Sequence, residues 1–214
     1  MNEERSIGLV LDEVKNAMGS REYEVLIVDT NSRDKTREIA TSKGALVIDE
    51  PRRGYGRAYK TGFEKAVGEV IATLDADLTY PASDIPALVD MLDSKGLDFI
   101  TTNRFAQMER GAMSAKHRFG NWVLSTTMRI LFRARLKDSQ SGMWVFRKSI
   151  LPKVILESDG MSMSEELKAE AFKKVRAAEM PITYRPRVGE VKLSSWKDGF
   201  GNLKFLFHKR FRST

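Results

Sequence analysis

The sequence predicts an α/β fold, Rossmann-like, with a mostly parallel central sheet flanked by helices. Three observations predict it. Short apolar, β-branched runs alternate with helix-patterned segments through the first half of the chain, and that alternation implies parallel strands joined by crossovers. Each run is bounded by turn residues, as a buried strand is. One of them, Glu69-Val70-Ile71-Ala72-Thr73-Leu74, leads directly into Asp75-Ala76-Asp77-Leu78 and then Thr79-Tyr80-Pro81. Carboxylates in that position lie at the carboxyl edge of the sheet, where open α/β folds bind ligands.

The elements follow in order. Ile7, Leu9, Val10, Leu11 and Val14 give residues 6–18 an amphipathic helical pattern, closed by Gly19-Ser20. Residues 24–28 read as a buried strand ending at Asp29, residues 34–42 as a helix closed by Gly44, and residues 45–48 as the next strand. A helix is expected over 55–67, a strand over 70–74, a helix over 83–94 and a strand over 98–102. The second half is richer in arginine, with a helix over 121–132 and a polar loop, Asp138-Ser139-Gln140-Ser141-Gly142, leading to a strand over 143–146. Leu167, Ala171, Phe172 and Val175 recur at helical spacing within 164–175, residues 181–185 read as a last strand, and the tail from Trp196 is basic and aromatic.

Composition narrows the chemistry. At 214 residues, with no repeat or linker, residues 1–214 are expected to form a single domain. The absence of cysteine excludes disulfides and thiolate metal sites and fits a reducing cytosol. The two histidines, His117 and His208, lie far apart, which argues against a His-rich zinc site. No run approaches the roughly 18 apolar residues that span a bilayer. No signal-peptide pattern opens the sequence. A net charge of +7 and a pI near 9.6 point to an anionic partner, whether nucleic acid, phosphorylated lipid or nucleotide.

Several residues then carry candidate chemistry. Asp75 and Asp77 suit a hard divalent cation carrying a diphosphate, because Mg²⁺ takes one or two carboxylates plus substrate phosphates. Loops are also rich in Asp for turn reasons, so the pair alone leaves both readings open. Asp29 at a strand end is placed to reach a nucleobase or ribose, or to serve as a turn residue. Gly54 and Gly56 precede a helix, where missing side chains permit close backbone approach to phosphate, or ordinary turn duty. Arg57 beside them either offsets diphosphate charge or is solvated.

Read in order, the motifs resemble the family-two inverting glycosyltransferases of GT-A fold, most of all the dolichyl-phosphate mannose synthases and related prenyl-phosphate hexosyltransferases. The matching pieces are Asn2-Glu3-Glu4, residues 28–36, Arg53-Gly54-Tyr55-Gly56-Arg57-Ala58, Asp75-Ala76-Asp77-Leu78, Asn103-Arg104-Phe105, residues 138–143 and residues 187–193. The resemblance implies a nucleotide-sugar half over 1–103 and an acceptor half over 104–214. It assigns Glu3, Asp29, Gly54, Gly56, Arg57, Asp75 and Lys192 to the donor and Asp77, with Asp75, to Mg²⁺ or Mn²⁺. It assigns Arg104 and Arg118 to the acceptor phosphate, for which guanidinium forks are suited, and Ser139, Ser141 and Gly142 to the acceptor loop. Many dolichyl-phosphate mannose synthases carry Gln two residues after the second Asp; Thr79 stands there in this chain, and Val191 replaces the Ser of the later pattern.

The implied reaction is hexose transfer, mannose from GDP-mannose favoured and UDP-glucose the alternative, onto a polyprenyl (dolichyl) phosphate. A lipid phosphate is already an anionic nucleophile and needs no general base. Glu165 and Glu166, the candidates for one, stand where a helix begins, and acidic residues favour first turns for dipole reasons. Basic and bulky apolar residues mix over 129–137 and 203–212, as in interfacial helices, so peripheral attachment at the cytoplasmic face of a membrane is expected. The family usually opens with an apolar interior strand before Asn-Glu-Glu; here Met1 precedes it directly, so the usual first strand is expected to be lacking and an inactive, truncated remnant is one alternative. The other is the same fold with another UDP-sugar and a different acceptor. No nucleic-acid module accompanies the charge, so no nucleic-acid partner is expected.

Overall fold

The computed structural model describes residues 1–189 and 195–212. Seven α-helices and six strands alternate along them: α1 (Ile7–Met18), β1 (Leu26–Asp29), α2 (Thr36–Ser42), β2 (Leu46–Asp49), α3 (Tyr55–Lys65), β3 (Val70–Ala72), α4 (Ile85–Ser94), β4 (Phe99–Met108), α5 (Ala115–Phe132), β5 (Trp144–Arg147), α6 (Met163–Lys174), β6 (Ala177–Tyr184) and α7 (Ser195–Arg212). The α1 stripe forms as its spacing dictates, with Ile7, Val10, Leu11 and Val14 buried. Gly19 ends it at a φ of 56°, a conformation that costs glycine little.

The sheet is mixed, where the alternation predicts a mostly parallel one. β1 pairs with β2 in parallel, and β3, β5, β4 and β6 form a separate four-stranded sheet. Within it β5 runs antiparallel to both β3 and β4, while β6 runs parallel to β4. Thr73 fixes the β5 entry: its hydroxyl donates to the Gly142 carbonyl at 2.9 Å and accepts from the Trp144 N–H at 2.8 Å. β6 starts four residues before the expected Pro181 and carries that proline on the outer edge of the sheet, where a missing N–H is tolerated.

Among the described residues no strand joins β1 to β3. Residues at that break are apolar yet half-exposed, notably Leu26, Ile27 and Val28. Side chains hold the two sheets together instead. Val25 packs into the clusters around Val10 and Val14 and around Ile7 and Leu11, while Leu26 joins the cluster of Phe63 and Ile71. The Ser6 hydroxyl adds a 2.6 Å bond to the Ala76 carbonyl.

On the four-stranded sheet the central side chains Phe99, Trp144 and Phe146 are fully buried beneath α3 and α6. Helix α5 begins six residues before the expected start, capped by the Ser114 hydroxyl, which accepts from His117 N–H. The basic tail is helical: Leu203 and Leu206 of α7 pack with Leu124, Met128, Leu131 and Phe132 of α5.

The depth of this core sets an expected outcome. Phe146 meets Phe63 edge-on at 5.2 Å between centroids and Phe99 at 5.9 Å. Phe146→Ala should lower the unfolding free energy by about 3–5 kcal/mol, read as a shift in the urea midpoint. Phe119→Ala, at an exposed position, should stay within about 0.5 kcal/mol.

Candidate active site

The carboxyl end of β3 meets the loop 138–142 and the turn after β6, and Asp75 and Asp77 lie there. Asp77 is buried with both oxygens engaged: Oδ1 accepts from Thr79 N–H at 3.0 Å and Thr79 Oγ1 at 2.6 Å, and Oδ2 pairs with Arg187 Nη2 at 2.8 Å. Leu78, in the left-handed region at a φ of 66°, turns the chain so that Thr79 folds back onto Asp77. Thr79 therefore orients the carboxylate from behind.

Asp75 is less well supplied. Among the described residues its one hydrogen bond comes from the Tyr59 hydroxyl at 3.4 Å, which is long. Burial, then the neighbouring charge of Asp77, push its carboxyl up to about 6, against the pull of Arg187 and Arg104. The pair is thus short of positive charge, and this fits a divalent cation. Asp75 and Asp77 would supply the protein ligands, with phosphate and water completing the shell in the Mg²⁺ manner. Among the described residues no group of three or more His, Cys, Asp or Glu side chains is placed to hold a metal.

Around these two, Glu3 is buried, its Oε1 3.9 Å from Arg187 Nη2. Asp29 is buried at the end of β1. Burial raises its carboxyl, but bonds from the Ser32 hydroxyl, the Ser32 N–H and Arg37 outweigh that and hold it below the usual range. Arg104 is buried and donates to Asp138 through Nε at 2.7 Å and Nη2 at 2.9 Å. Burial pushes Asp138 up, and the charge and hydrogen bonds of Arg104 more than reverse it. Arg104 thus lies beneath the site with two of its N–H groups committed. Arg118 is exposed on the first turn of α5, with no hydrogen bond to that pair. Lys192 lies outside the described residues.

The glycines serve the protein's own packing. A Cβ on Gly54 would overlap the Asp159 carbonyl oxygen, and one on Gly56 would sit 2.6 Å from Met163 Cβ and 2.7 Å from the Ser158 carbonyl oxygen. Room for the 158–160 loop explains both residues. Arg57 joins the same contact, its N–H on the Asp159 carbonyl at 3.2 Å and Nη2 on the carboxylate at 2.6 Å, with Lys60 on the other carboxylate oxygen at 2.5 Å. Gly142 differs: a Cβ there would lie 3.2 Å from the Tyr55 hydroxyl and 3.5 Å from Asp75 Oδ2, so this glycine lets the loop approach the acidic pair.

Ser139 and Ser141 are buried, their hydroxyls engaged by Ser125 and Thr102. Spacing had no means of revealing what holds this loop: Lys168 of α6, fully buried, whose Nζ donates to the carbonyls of Ser139 at 2.8 Å and Ser141 at 2.7 Å and to Ser164 Oγ at 2.7 Å, over the Trp144 ring. Spacing does carry the aromatic face of α3: Tyr55, Tyr59 and Phe63 stand four apart on it, against Trp144 and Asp75. Glu165 and Glu166 do stand in the first turn of α6, and both are fully buried. Glu166 pairs with Lys209 of α7 at 2.8 Å, and Glu165 accepts from Gln140 while its Oε2 has no partner among the described residues.

Burial raises Glu165 to about 7 from 4.5. Between those two pH values the folded chain holds a proton that the unfolded chain has lost, so stability should fall as pH rises through that window. Glu165→Gln should remove this slope in thermal melts. It should be more stable than the parent above about pH 7 and lose that advantage below about pH 4.5.

The sequence model described as Glycosyl transferase family 2 matches residues 1–155. The chain is 35% identical over 210 residues to the low-salt glycan biosynthesis hexosyltransferase Agl6 of Haloferax volcanii, across 96% of this chain and 51% of that one; it spans about half that relative's length. It is 34% identical over 201 residues to a dolichyl-phosphate hexose transferase of the same organism, across 92% of this chain and 85% of that one. The structure matches glucosyl-3-phosphoglycerate synthase from Mycobacterium tuberculosis, solved with Mn²⁺, UDP-glucose and phosphoglyceric acid, with a TM-score of 0.81 over 99% of this chain and 77% of that one. At 19% identity, that likeness establishes the GT-A fold alone.

Proposed function

The chain belongs to glycosyl transferase family 2, and we propose that it moves a hexose from a nucleotide-diphosphate sugar to a polyprenyl phosphate, with inversion at the anomeric carbon. Residues 1–103 supply the donor half of one domain and residues 104–214 the acceptor half. GDP-mannose is the favoured donor and UDP-glucose the alternative. Glu3 and Asp29 face the nucleoside, and Asp75 and Asp77 hold Mg²⁺ or Mn²⁺. When bound, the cation supplies Lewis-acid charge for the departing diphosphate.

The observation that carries the lipid acceptor is the outer surface of α5 and α7. Phe119, Trp122 and Ile130 recur at helical spacing on α5 among Lys116, Arg118 and Arg129, all with exposed side chains except half-buried groups between them. Phe200, Phe207 and Phe211 do the same on α7, with Lys204 and Arg210 nearby. Exposed apolar stripes set among basic residues suit an anionic bilayer surface. No described helix is long and apolar enough to cross a membrane. The reading is a peripheral protein at the cytoplasmic face; the 34% identity to a dolichyl-phosphate hexose transferase supports the membrane-proximal part of it.

The acceptor is an anion without a proton to lose, so the chain's task is positioning and charge stabilisation. The lipid phosphate oxygen attacks the anomeric carbon and the nucleoside diphosphate leaves from the opposite side. Gly142 lets loop 138–142 lie close beside Asp75, and Arg104, held by Asp138, contributes its positive charge beneath the reacting groups. Arg118, exposed on α5, is the cation for the lipid phosphate arriving from the membrane side.

A second reading is favoured by one observation, the buried Glu165 with its unpartnered Oε2 and a carboxyl titrating near 7. That is where a general base for a hydroxyl acceptor would work. The two readings separate by acceptor. Radiolabelled hexose from GDP-mannose, then UDP-glucose, should pass to dolichyl phosphate in Mg²⁺ or Mn²⁺; transfer to saccharide hydroxyls with none to the lipid would overturn the first reading.

In the lipid reaction Asp77→Asn should lower transfer by on the order of a hundredfold or more. Sedimentation with anionic vesicles should retain the protein. Trp122→Ala combined with Phe207→Ala should release much of it at unchanged melting temperature.

A further inference from the structure

We propose that Arg187 is the resident counter-cation of the Asp75–Asp77 pair, and that a divalent metal and the Arg187 guanidinium are alternative occupants of Asp77 Oδ2. The inference rests on the reading of these two carboxylates as the metal site. It concerns what stands there before the metal arrives.

Geometry leaves one oxygen for the contest. Asp77 Oδ1 is taken from two directions by Thr79, so Oδ2 is the ligand atom, and Arg187 Nη2 sits 2.8 Å from it. A Mg²⁺ ion binds carboxylate oxygen at about 2.0–2.1 Å with a full shell of ligands. Placing it on Oδ2 would bring a dication against a guanidinium already in contact with that atom, in a half-buried setting where charge repulsion is poorly screened.

The arginine is presented by a fixed piece of backbone. Arg185 N–H donates to the Thr79 carbonyl and Val188 N–H to the Asp77 carbonyl, each at 3.0 Å, so the main chain on both sides of Arg187 is stitched to the turn that carries Asp77. The Arg185 side chain anchors it further, with both Glu13 oxygens at 3.0 Å. Displacement is therefore a side-chain movement. The remaining environment accommodates it: Glu3 Oε1 stands 3.9 Å from Nη2, and Arg187 Nε is buried with no hydrogen-bond partner among the described residues. A guanidinium held on one side by Asp77, with an unused donor, is poised for exchange.

The functional consequence is order of binding. Without nucleotide, the metal must displace an intramolecular cation that is always at hand. With a nucleoside diphosphate present, the phosphate oxygens add ligands to the metal and negative charge for the displaced arginine. Metal and donor should therefore enter together.

The test is Mn²⁺ binding by electron paramagnetic resonance, on the full chain, with and without UDP or GDP. A charge-assisted bond of this kind corresponds to roughly tenfold in a binding constant. Arg187→Met should therefore bind Mn²⁺ about tenfold more tightly than the parent without nucleotide, and the nucleotide should strengthen binding less in the variant. Arg187→Lys, which keeps a cation, should stay near the parent. Melting in EDTA and in Mn²⁺ guards against misfolding: Arg187→Met should be destabilised in EDTA and recover in Mn²⁺. Equal or weaker Mn²⁺ binding by Arg187→Met overturns the inference. Binding of no Mn²⁺ by the parent or the Arg187 variants, with or without nucleotide, or undiminished binding by Asp77→Asn, overturns the metal reading itself.

Discussion

A buried lysine organises the acceptor side of this protein. Lys168 lies on α6 with no exposure to solvent and satisfies the carbonyls of Ser139 and Ser141, which have no strand to pair with. A loop of polar residues in the interior has to find partners for its backbone, and here one lysine Nζ serves two of its carbonyls. The rest follows from that anchorage. Ser141 meets Thr102 of β4, Ser139 meets Ser125 of α5, Gly142 N–H meets the Tyr80 hydroxyl at 2.6 Å, and Asp138 turns back to take Arg104. Helices, sheet and loop are thereby locked around one point beside Asp75.

Much of the fold was legible in the sequence because local pattern and tertiary role agree there. The α1 stripe, the short runs that become β1, β2 and β3, and the α3 tyrosines all obey their periods, and each element lies within a few residues of its expected place. The exceptions have physical causes. A short buried run carries no information about direction, so the antiparallel course of β5 was invisible until its hydrogen bonds to β3 and β4 were seen. The start of β6 was hidden because Ala177, Ala178 and Glu179 have weak strand preference and are held there by pairing with β4.

The site was legible in its residues more than in their duties. Glu3 and Asp77 share Arg187 beside Asp75, while Asp29 is held at the end of β1 by Ser32 and Arg37. Gly54 and Gly56 instead make room for the chain's own 158–160 loop, and Ser139 and Ser141 turn inward. Single residues look the same in sequence whether a neighbour is a ligand or the protein's own backbone. Lys168 and Arg187 were harder still: their importance comes from burial and from partners distant in sequence. Arginine is used structurally throughout, with Arg37, Arg57 and Arg104 all paired to carboxylates. The excess positive charge of the chain is therefore concentrated in effect on side chains that face outward, such as those of α5 and α7.

The break between β1 and β3 bears on how the molecule breathes. A continuous sheet transmits opening cooperatively, strand to strand, through its backbone bonds. Here the β1–β2 pair is joined to the larger sheet by side-chain packing and by side-chain hydrogen bonds such as those of Glu24 to the Val67 and Gly68 N–H groups, with no backbone ladder between them, so it forms a natural unit of sub-global unfolding. Its amides would exchange with solvent through excursions that leave the four-stranded sheet intact. Asp29 rides on that unit and Asp75 on the other. Any ligand that bridges the two carboxylates would thus tie the two sheets together, and would be felt as slowed exchange in β1 and β2 far more than in β4 or β5.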